Sequence, residues 1–224
     1  MQSESPVLTL SDRLSIRHTR DGGGASINNE EARRFDNQLK KLVPNNVLPI
    51  LIERYPDINF THISKIYQSD YASRINPDYE PLCNNPFISP DGGIILANGN
   101  PVFIGEAKKQ GTNYNRIAQG LPKQSCGNAI ERAFKNYNEL KAYMFDKDYF
   151  PYLLFVYGSD FEQGCSILSR LHSMTMFKPY NNLYINDSNK IASIFVQVEP
   201  YTNEFIIDKC LEAAEISMNH LQLI

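Results

Sequence analysis

Several signatures are missing from this sequence. The four cysteines, Cys83, Cys126, Cys165 and Cys210, are widely spaced and form no CxxC pair. That argues against a zinc site and for reduced thiols in a cytoplasmic protein. The four histidines, at positions 18, 62, 172 and 220, make no HExxH motif. There is no signal-peptide pattern and no run of about 18 apolar residues, which disfavours secretion and membrane spanning. The glycines of DGGGAS (21–26) are followed by no GK[ST] and preceded by no strand pattern, so a linker is the better reading than a phosphate loop. No internal repeat or low-complexity tract interrupts the chain. Positive charge is not in excess either: the net charge is -3 and the pI about 5.8. A generally basic nucleic-acid coat is thereby disfavoured, but a DNA binder is not, because only the groove that touches phosphate must be positive.

What remains is ample for a core. The chain has 224 residues, of which 42% are hydrophobic, and no composition shift marks a boundary between two domains. We expect a single domain over 1–224, with residues 1–30 as an N-terminal arm. That arm carries Arg13, Arg17, His18 and Arg20; it either wraps a phosphate backbone or is a surface tail ordered by local contacts.

The periodicities alternate between helix and strand. Residues 30–43 place Ala32, Phe35, Leu39 and Leu42 at helical spacing. A second helix is expected to be capped by Asn46, to carry Val47, Leu48, Leu51 and Ile52, and to stop before Pro56, with Pro49 tolerated in its first turn. FTHISKIYQ reads as one strand, and the stretch to Pro90 as irregular structure or short helix. FPYLLFVYGSDF (150–161) is an apolar run suited to a central strand in parallel pairing. SILSRLHSM (166–174) suggests a short helix, and NNLYIN and KIASIFVQVEP (190–200) suggest strands. A final helix carries Leu211, Ala214 and Met218. Together these point to an α/β fold, a mixed sheet with helices on its faces.

The chemistry concentrates in PDGGIILANGNPVFIGEAKK (90–109). IIL and VFI suit a buried hairpin, and Asn98-Gly99 is a strong turn signal between them. Asp91 sits at the start of the first strand. Glu106 and Lys108, two residues apart, share one face of the second. If the hairpin folds back on Asp91, two carboxylates converge beside a lysine, which is the equipment for holding Mg²⁺ and activating a water against a phosphodiester. Taken alone, the same trio could be a solvated salt-bridge group on a surface hairpin.

A loop rich in amides and hydroxyls, residues 109–127, separates the hairpin from GNAIERAFKNYNELKAYMF. Its length favours a functional role. The helix expected after it starts near Asn128. Ile130, Ala133, Phe134, Tyr137, Leu140 and Met144 form its apolar stripe; Glu131, Arg132, Lys135, Asn136 and Glu139 form the opposite face. Asn128 and Arg132 lie one turn apart. An asparagine can bond an adenine edge bidentately and an arginine offers a rigid fork of donors. The alternative is a capping asparagine with surface charges around it.

SPDGGIIL, IGEAKKQG, GNAIERAFKN and FPYLLFVYGSDF, in that order, resemble the EcoRI family of type II restriction endonucleases. VLPILIERYPDINF and SILSRL resemble it more loosely, and the similarity covers roughly residues 47–178. The PD…ExK element is shared by many nucleases; GNAxERxxK behind it is much more specific. The resemblance implies a restriction-endonuclease-like PD-(D/E)xK core, a mixed sheet of the five-stranded type flanked by helices. It implies that Asp91 and Glu106 bind Mg²⁺ with the Ala107 carbonyl, and that Lys108 orients or activates the attacking water. Gly127, Asn128, Ala129 and Arg132 match the segment that reads inner AATT bases, Glu131 the acidic residue coupling recognition to the dimer, and Lys135 the end of the same DNA-binding motif. Arg170 matches a basic residue of the second recognition region. A second arginine that such chains can carry one turn later is here Ser173, so the outer bases stay open: a six-base palindrome or bare AATT. From about residue 179 no correspondence is found. The resemblance implies a cytoplasmic homodimer on double-stranded DNA, cutting each strand to leave 5′-phosphate ends. A repair or junction-cleaving nuclease of the PD-(D/E)xK type lacks a need for the base-reading pair. A non-catalytic DNA-binding protein lacks a need for the intact trio.

Overall fold

The computed structural model describes residues 24–80, 85–111, 120, 128–158 and 192–224. Its first helix, α1 (Gly24–Leu42), begins within the glycine-rich stretch, and Phe35, Leu39 and Leu42 face the core. Residues 1–23 lie outside the described residues. The helix does not stop and restart at Asn46. A π-helical turn (Val43–Val47) joins it directly to α2 (Leu48–Arg54), and Leu42 and Val47 both keep right-handed helical angles. Asn46 is therefore not a helix cap. Pro44 has no N–H to give and its ring crowds the preceding turn; a widened turn accommodates it without breaking the helix. Val43 and Val47 stay fully buried through the turn, so the core holds the helix on course.

FTHISKIYQ forms two strands rather than one. β1 (Phe60–Ile63) joins the main sheet, whereas β2 (Ile66–Tyr67) turns away to pair with β3 (Phe87–Ile88) in a separate two-stranded sheet. Between β2 and β3 lies the short helix α3 (Ser69–Ile75).

The hairpin is as the sequence predicts. β4 (Gly93–Ala97) pairs antiparallel with β5 (Asn100–Lys109). Asn98 and Gly99 both adopt positive φ, 49° and 82°, the requirement of a tight turn whose twist matches its strands. The register shifts between Ile95 and Leu96, so that Leu96 faces Pro101. A residue without an N–H cannot continue a regular ladder.

Helix α4 (Asn128–Tyr143) precedes β6 (Tyr152–Tyr157), which pairs parallel with β5; β7 (Ala192–Gln197) pairs parallel with β6. The five-stranded sheet runs β1-β4-β5-β6-β7, antiparallel on one side and parallel on the other. β6 is buried along its whole length, as a parallel strand covered on both faces must be. The last helix, α5 (Asn203–His220), is capped by Thr202, whose hydroxyl accepts the Phe205 N–H at 3.2 Å.

Two apolar clusters cover the two faces of the sheet. One combines α1, the π turn and α5 with Phe103, Ala107, Leu153 and Phe155. The other combines α4 and Tyr71 with Ile104, Tyr152, Leu154 and Val156. On α4, Ile130, Ala133, Tyr137 and Leu140 are buried as predicted, but Phe134 is 43% exposed: by helical spacing it lies at the edge of the stripe that the other four define. Cys210 is free and buried; the other cysteines lie outside the described residues, as do the expected elements at 166–174 and NNLYIN. No helix among the described residues is long and apolar enough to cross a membrane.

Candidate active site

The pleat of β5 sorts its residues. Phe103 and Ala107 enter the α1 side, while Ile104 enters the α4 side. Glu106 and Lys108 alternate with Ala107 and so share the α4 side. Asp91 comes from a tight turn just before β4, in which the Gly93 N–H donates to the Pro90 carbonyl at 2.9 Å and the Gly92 N–H to the Gly105 carbonyl at 2.9 Å. Gly93 has φ +67°, and a Cβ there would lie 2.4 Å from Nε2 of His62. The imidazole of His62 in turn meets the Gly92 carbonyl at 3.0 Å. β1 therefore braces the turn that presents Asp91.

Three of the residues singled out in the sequence meet. Lys108 Nζ lies 2.6 Å from Oδ2 of Asp91 and 2.6 Å from Oε1 of Glu106, and it donates to the Ala107 carbonyl at 2.8 Å. Oδ2 of Asp91 also accepts the Ala107 N–H at 3.0 Å. The arrangement is not a solvated surface group: the Lys108, Asp91 and Glu106 side chains are only 13%, 18% and 1% exposed.

Burial pushes the Glu106 carboxyl up to about 7; the ammonium of Lys108 and the hydrogen bond from Asn136 oppose that rise, while the charge of Asp91 adds to it. For Lys108 burial acts downward, but the charges of Glu106 and Asp91 and their hydrogen bonds outweigh it, so its pKa rises above the ordinary lysine value. The lysine stays an ammonium.

Two side chains escaped the sequence reading. Asn136, assigned there to the outer face of α4, donates from Nδ2 to Oε1 of Glu106 at 2.9 Å. The signal was present: Ala133, Asn136, Tyr137 and Leu140 follow the i, i+3, i+4, i+7 spacing of one face. Asp36, on α1, is the second. Burial pushes its carboxyl up to about 6, the charge of Asp91 adds to the shift and Lys108 opposes it. Nothing in the local sequence marks it, since it follows the buried Phe35 as any polar residue of an amphipathic helix would.

The oxygen donors suit a hard divalent cation. Oε2 of Glu106 is buried and meets no partner among the described residues, a costly arrangement unless a ligand completes it. The set is small: among the described residues no group of three or more His, Cys, Asp or Glu side chains gathers to hold a metal. A cation here would rely on two carboxylates and the Ala107 carbonyl, with water for its remaining positions, which is the habit of Mg²⁺.

The remaining candidates lie along α4 or beyond. Glu131, Arg132 and Lys135 are exposed on the helix, and Lys135 approaches Glu139 at 3.6 Å. Gly127 and Arg170, and the side chains of Asn128 and Ala129, lie outside the described residues. The loop over 109–127 does so too for most of its length.

Comparison with known proteins is consistent with this arrangement. The family model of restriction endonuclease EcoRI matches residues 21–194. That span starts before and ends after the motif resemblance over 47–178. The chain is 28% identical over 204 residues to the type II restriction enzyme EcoRI of Escherichia coli, covering 82% of this chain and 72% of that protein. It is 32% identical over 167 residues to the type II restriction enzyme RsrI of Cereibacter sphaeroides, covering 66% of this chain and 60% of that one.

Proposed function

The chain belongs to the restriction endonuclease EcoRI family, and from that premise we propose that it is a type II site-specific deoxyribonuclease cutting a palindromic duplex site that contains AATT. The observation that carries the reading is the convergence of Asp91, Glu106 and Lys108 on one buried point at the end of β5. Two named type II restriction enzymes among its relatives support the reaction class.

Asp91, Glu106 and the Ala107 carbonyl would hold Mg²⁺. When bound, that ion supplies Lewis-acid charge at the scissile phosphate and acidifies a water. Lys108 is the ammonium that orients the attacking water and offsets negative charge on the phosphate. Water oxygen adds to phosphorus in line with the departing 3′ oxygen and the P–O3′ bond breaks; the water's proton passes to solvent and the 3′ oxygen takes one up from solvent, which leaves 5′-phosphate and 3′-hydroxyl ends. Until a cation is bound, the carboxylates repel DNA.

Recognition falls to the start of α4. Asn128 and Arg132 read inner A·T pairs, Gly127 and Ala129 bring the backbone to the bases, Glu131 couples the segment to a second subunit, and Lys135 and Arg170 add further DNA contacts. A palindrome is read most simply by a two-fold pair, so the working form is a homodimer with each subunit cutting one strand. Residues 1–224 form one domain, and the protein works in the cytoplasm.

The test is digestion of plasmid DNA with Mg²⁺, followed by sequencing of the ends. Discrete fragments whose ends fall at AATT-containing sites are expected. A smear, ends unrelated to AATT, or no cutting across salt and metal conditions would overturn the reading.

A further inference from the structure

Oε1 of Glu106 receives two donors, Lys108 Nζ at 2.6 Å and Asn136 Nδ2 at 2.9 Å. A carboxylate turning about its last bond exchanges its two oxygens. Two donors on one oxygen prevent that exchange. They leave Oε2, buried and without a partner among the described residues, as the oxygen free to take a ligand. Glu106 is fully buried, so bulk water cannot supply the orientation instead. Of the two donors, Lys108 is shared with Asp91 and, in the proposed reaction, with phosphate. Asn136 is the donor with no second duty in that reaction.

The place of Asn136 in the fold gives the contact a second meaning. It follows Arg132 by one helical turn, so both project from the same side of α4. The start of the helix at Asn128 lies about 12 Å back along the axis. Ile130, Ala133, Tyr137 and Leu140 seal the helix against the sheet beside β5, so a displacement of its first turns reaches Asn136 through a packed rigid element. The contact spans two elements that neither sequence proximity nor a β ladder otherwise joins.

We propose that Asn136 is a positioning residue: its amide holds Glu106 with Oε2 presented for the metal, and it ties that alignment to the seating of α4 on DNA. This rests on the nuclease reading of the site. Outer partners that orient metal-binding carboxylates typically change metal affinity or activity by about 10–100-fold when removed.

The test uses the full chain and three variants, Asn136→Ala, Asn136→Leu and Asn136→Gln, with Mn²⁺ as the probe. Asn136→Leu is the informative one, because it keeps the branched shape and much of the volume and loses the amide donor without adding a charge. Mn²⁺ binding is followed by water-proton relaxation on the chain alone and with an AATT-containing duplex. Cleavage rate, metal-free binding of specific and non-specific duplexes, and melting temperature are measured alongside. The expected result is a Mn²⁺ midpoint raised about 10-fold or more in Asn136→Ala and Asn136→Leu, with cleavage falling in parallel. Metal-free duplex binding should stay within about threefold and melting nearly unchanged, and Asn136→Gln, which restores an amide donor, should recover part of the loss. Unchanged Mn²⁺ midpoints overturn the proposal. So does an Asn136→Leu variant equal to wild type, which makes the contact one of packing only. A matching loss of metal-free duplex binding also overturns it, since that makes Asn136 a DNA contact. If the wild-type chain cuts no DNA, the nuclease reading fails, while Mn²⁺ binding to the chain alone still decides whether Asn136 orients Glu106.

Discussion

Lys108 and Glu106 form an ion pair at 2.6 Å in which the ammonium side chain is 13% exposed and the carboxylate 1%. Such a pair is held by mutual need. Neither charge is tolerable at that depth alone, and Asp91, also 2.6 Å from the same ammonium, shares in it.

Removing the lysine is therefore expected to separate function from folding. Breaking a buried pair ordinarily costs about 3–5 kcal/mol, because the survivor keeps an unpaired charge. Glu106 has an escape: burial already pushes its carboxyl up and the Lys108 ammonium opposes that rise, so without Lys108 it takes up a proton more readily and the loss is smaller. Lys108→Ala should fold, with a modestly lower melting temperature at pH 7, and should lose cleavage by about 10²–10³-fold or more. Single-turnover digestion beside duplex-binding measurements checks this, and Asp91→Ala should behave in the same direction. Cleavage at the wild-type rate in either variant would remove the pair from the mechanism.

Asp36 offers a pH experiment at a carboxyl that is not itself in the proposed metal set but feels the charges of Asp91 and Lys108. Burial, then the charge of Asp91, pushes its carboxyl up to about 6. A folded pKa above the unfolded one means that the folded chain binds the proton more tightly. The associated stability is fully present below the unfolded value and is lost as pH rises through about 6. Asp36→Asn removes the charge, so its melting temperature should exceed that of wild type at pH 8, and the advantage should shrink steadily toward pH 4.5. Melting curves across that range decide it; an advantage that does not change with pH would show that charge is not the cause.

The turn that presents Asp91 should tolerate no side chain. At Gly93 a Cβ would lie 2.4 Å from Nε2 of His62 and 2.7 Å from the carbonyl oxygen of Ile63, with φ already at +67°. Overpacking against backbone and left-handed strain add, so Gly93→Ala should cost about 2 kcal/mol or more and displace Asp91. Gly99 is the control. Its φ is +82° but nothing lies within 4 Å of a Cβ, so Gly99→Ala should cost only about 1–2 kcal/mol of strain. Urea unfolding of the two variants should rank them in that order, and only Gly93→Ala should lose cleavage out of proportion to stability.

The contrast between these residues shows what could be read from the sequence. The hairpin was legible because Asn98-Gly99 and the flanking apolar runs are local signals, and Glu106 and Lys108 share a face by the period of a strand alone. Asp91 could be placed beside them only by supposing that the turn folds back, and its bracing by His62 is a tertiary contact with no local signature. Asn136 was lost by drawing the apolar stripe of α4 through hydrophobic residues only. Its amide belongs to the buried face because a buried carboxylate waits there. Asn46 was misplaced for a related reason: capping chemistry is local, whereas the buried valines that carry the helix past Pro44 answer to the core.

Arg132 tests the recognition half of the proposal most directly. It is exposed on α4, on the same side as Asn136 and one turn nearer the helix start. In the family reading its guanidinium forks onto a base edge. Lysine keeps the charge but presents a compact point donor, so the paired geometry is lost while attraction to phosphate stays. Arg132→Lys should bind non-specific duplex as wild type does, with the same salt dependence, because no phosphate contact has been removed. Its discrimination between an AATT duplex and duplexes with one inner pair changed should fall by about 1–3 kcal/mol. Competition binding in Ca²⁺, at two salt concentrations, separates the cases. A uniform loss on every duplex, with discrimination and salt slope unchanged, would make Arg132 a phosphate contact. No change in either quantity would return it to the solvated face of the helix, and inner-base reading would then have to come from elsewhere in the chain.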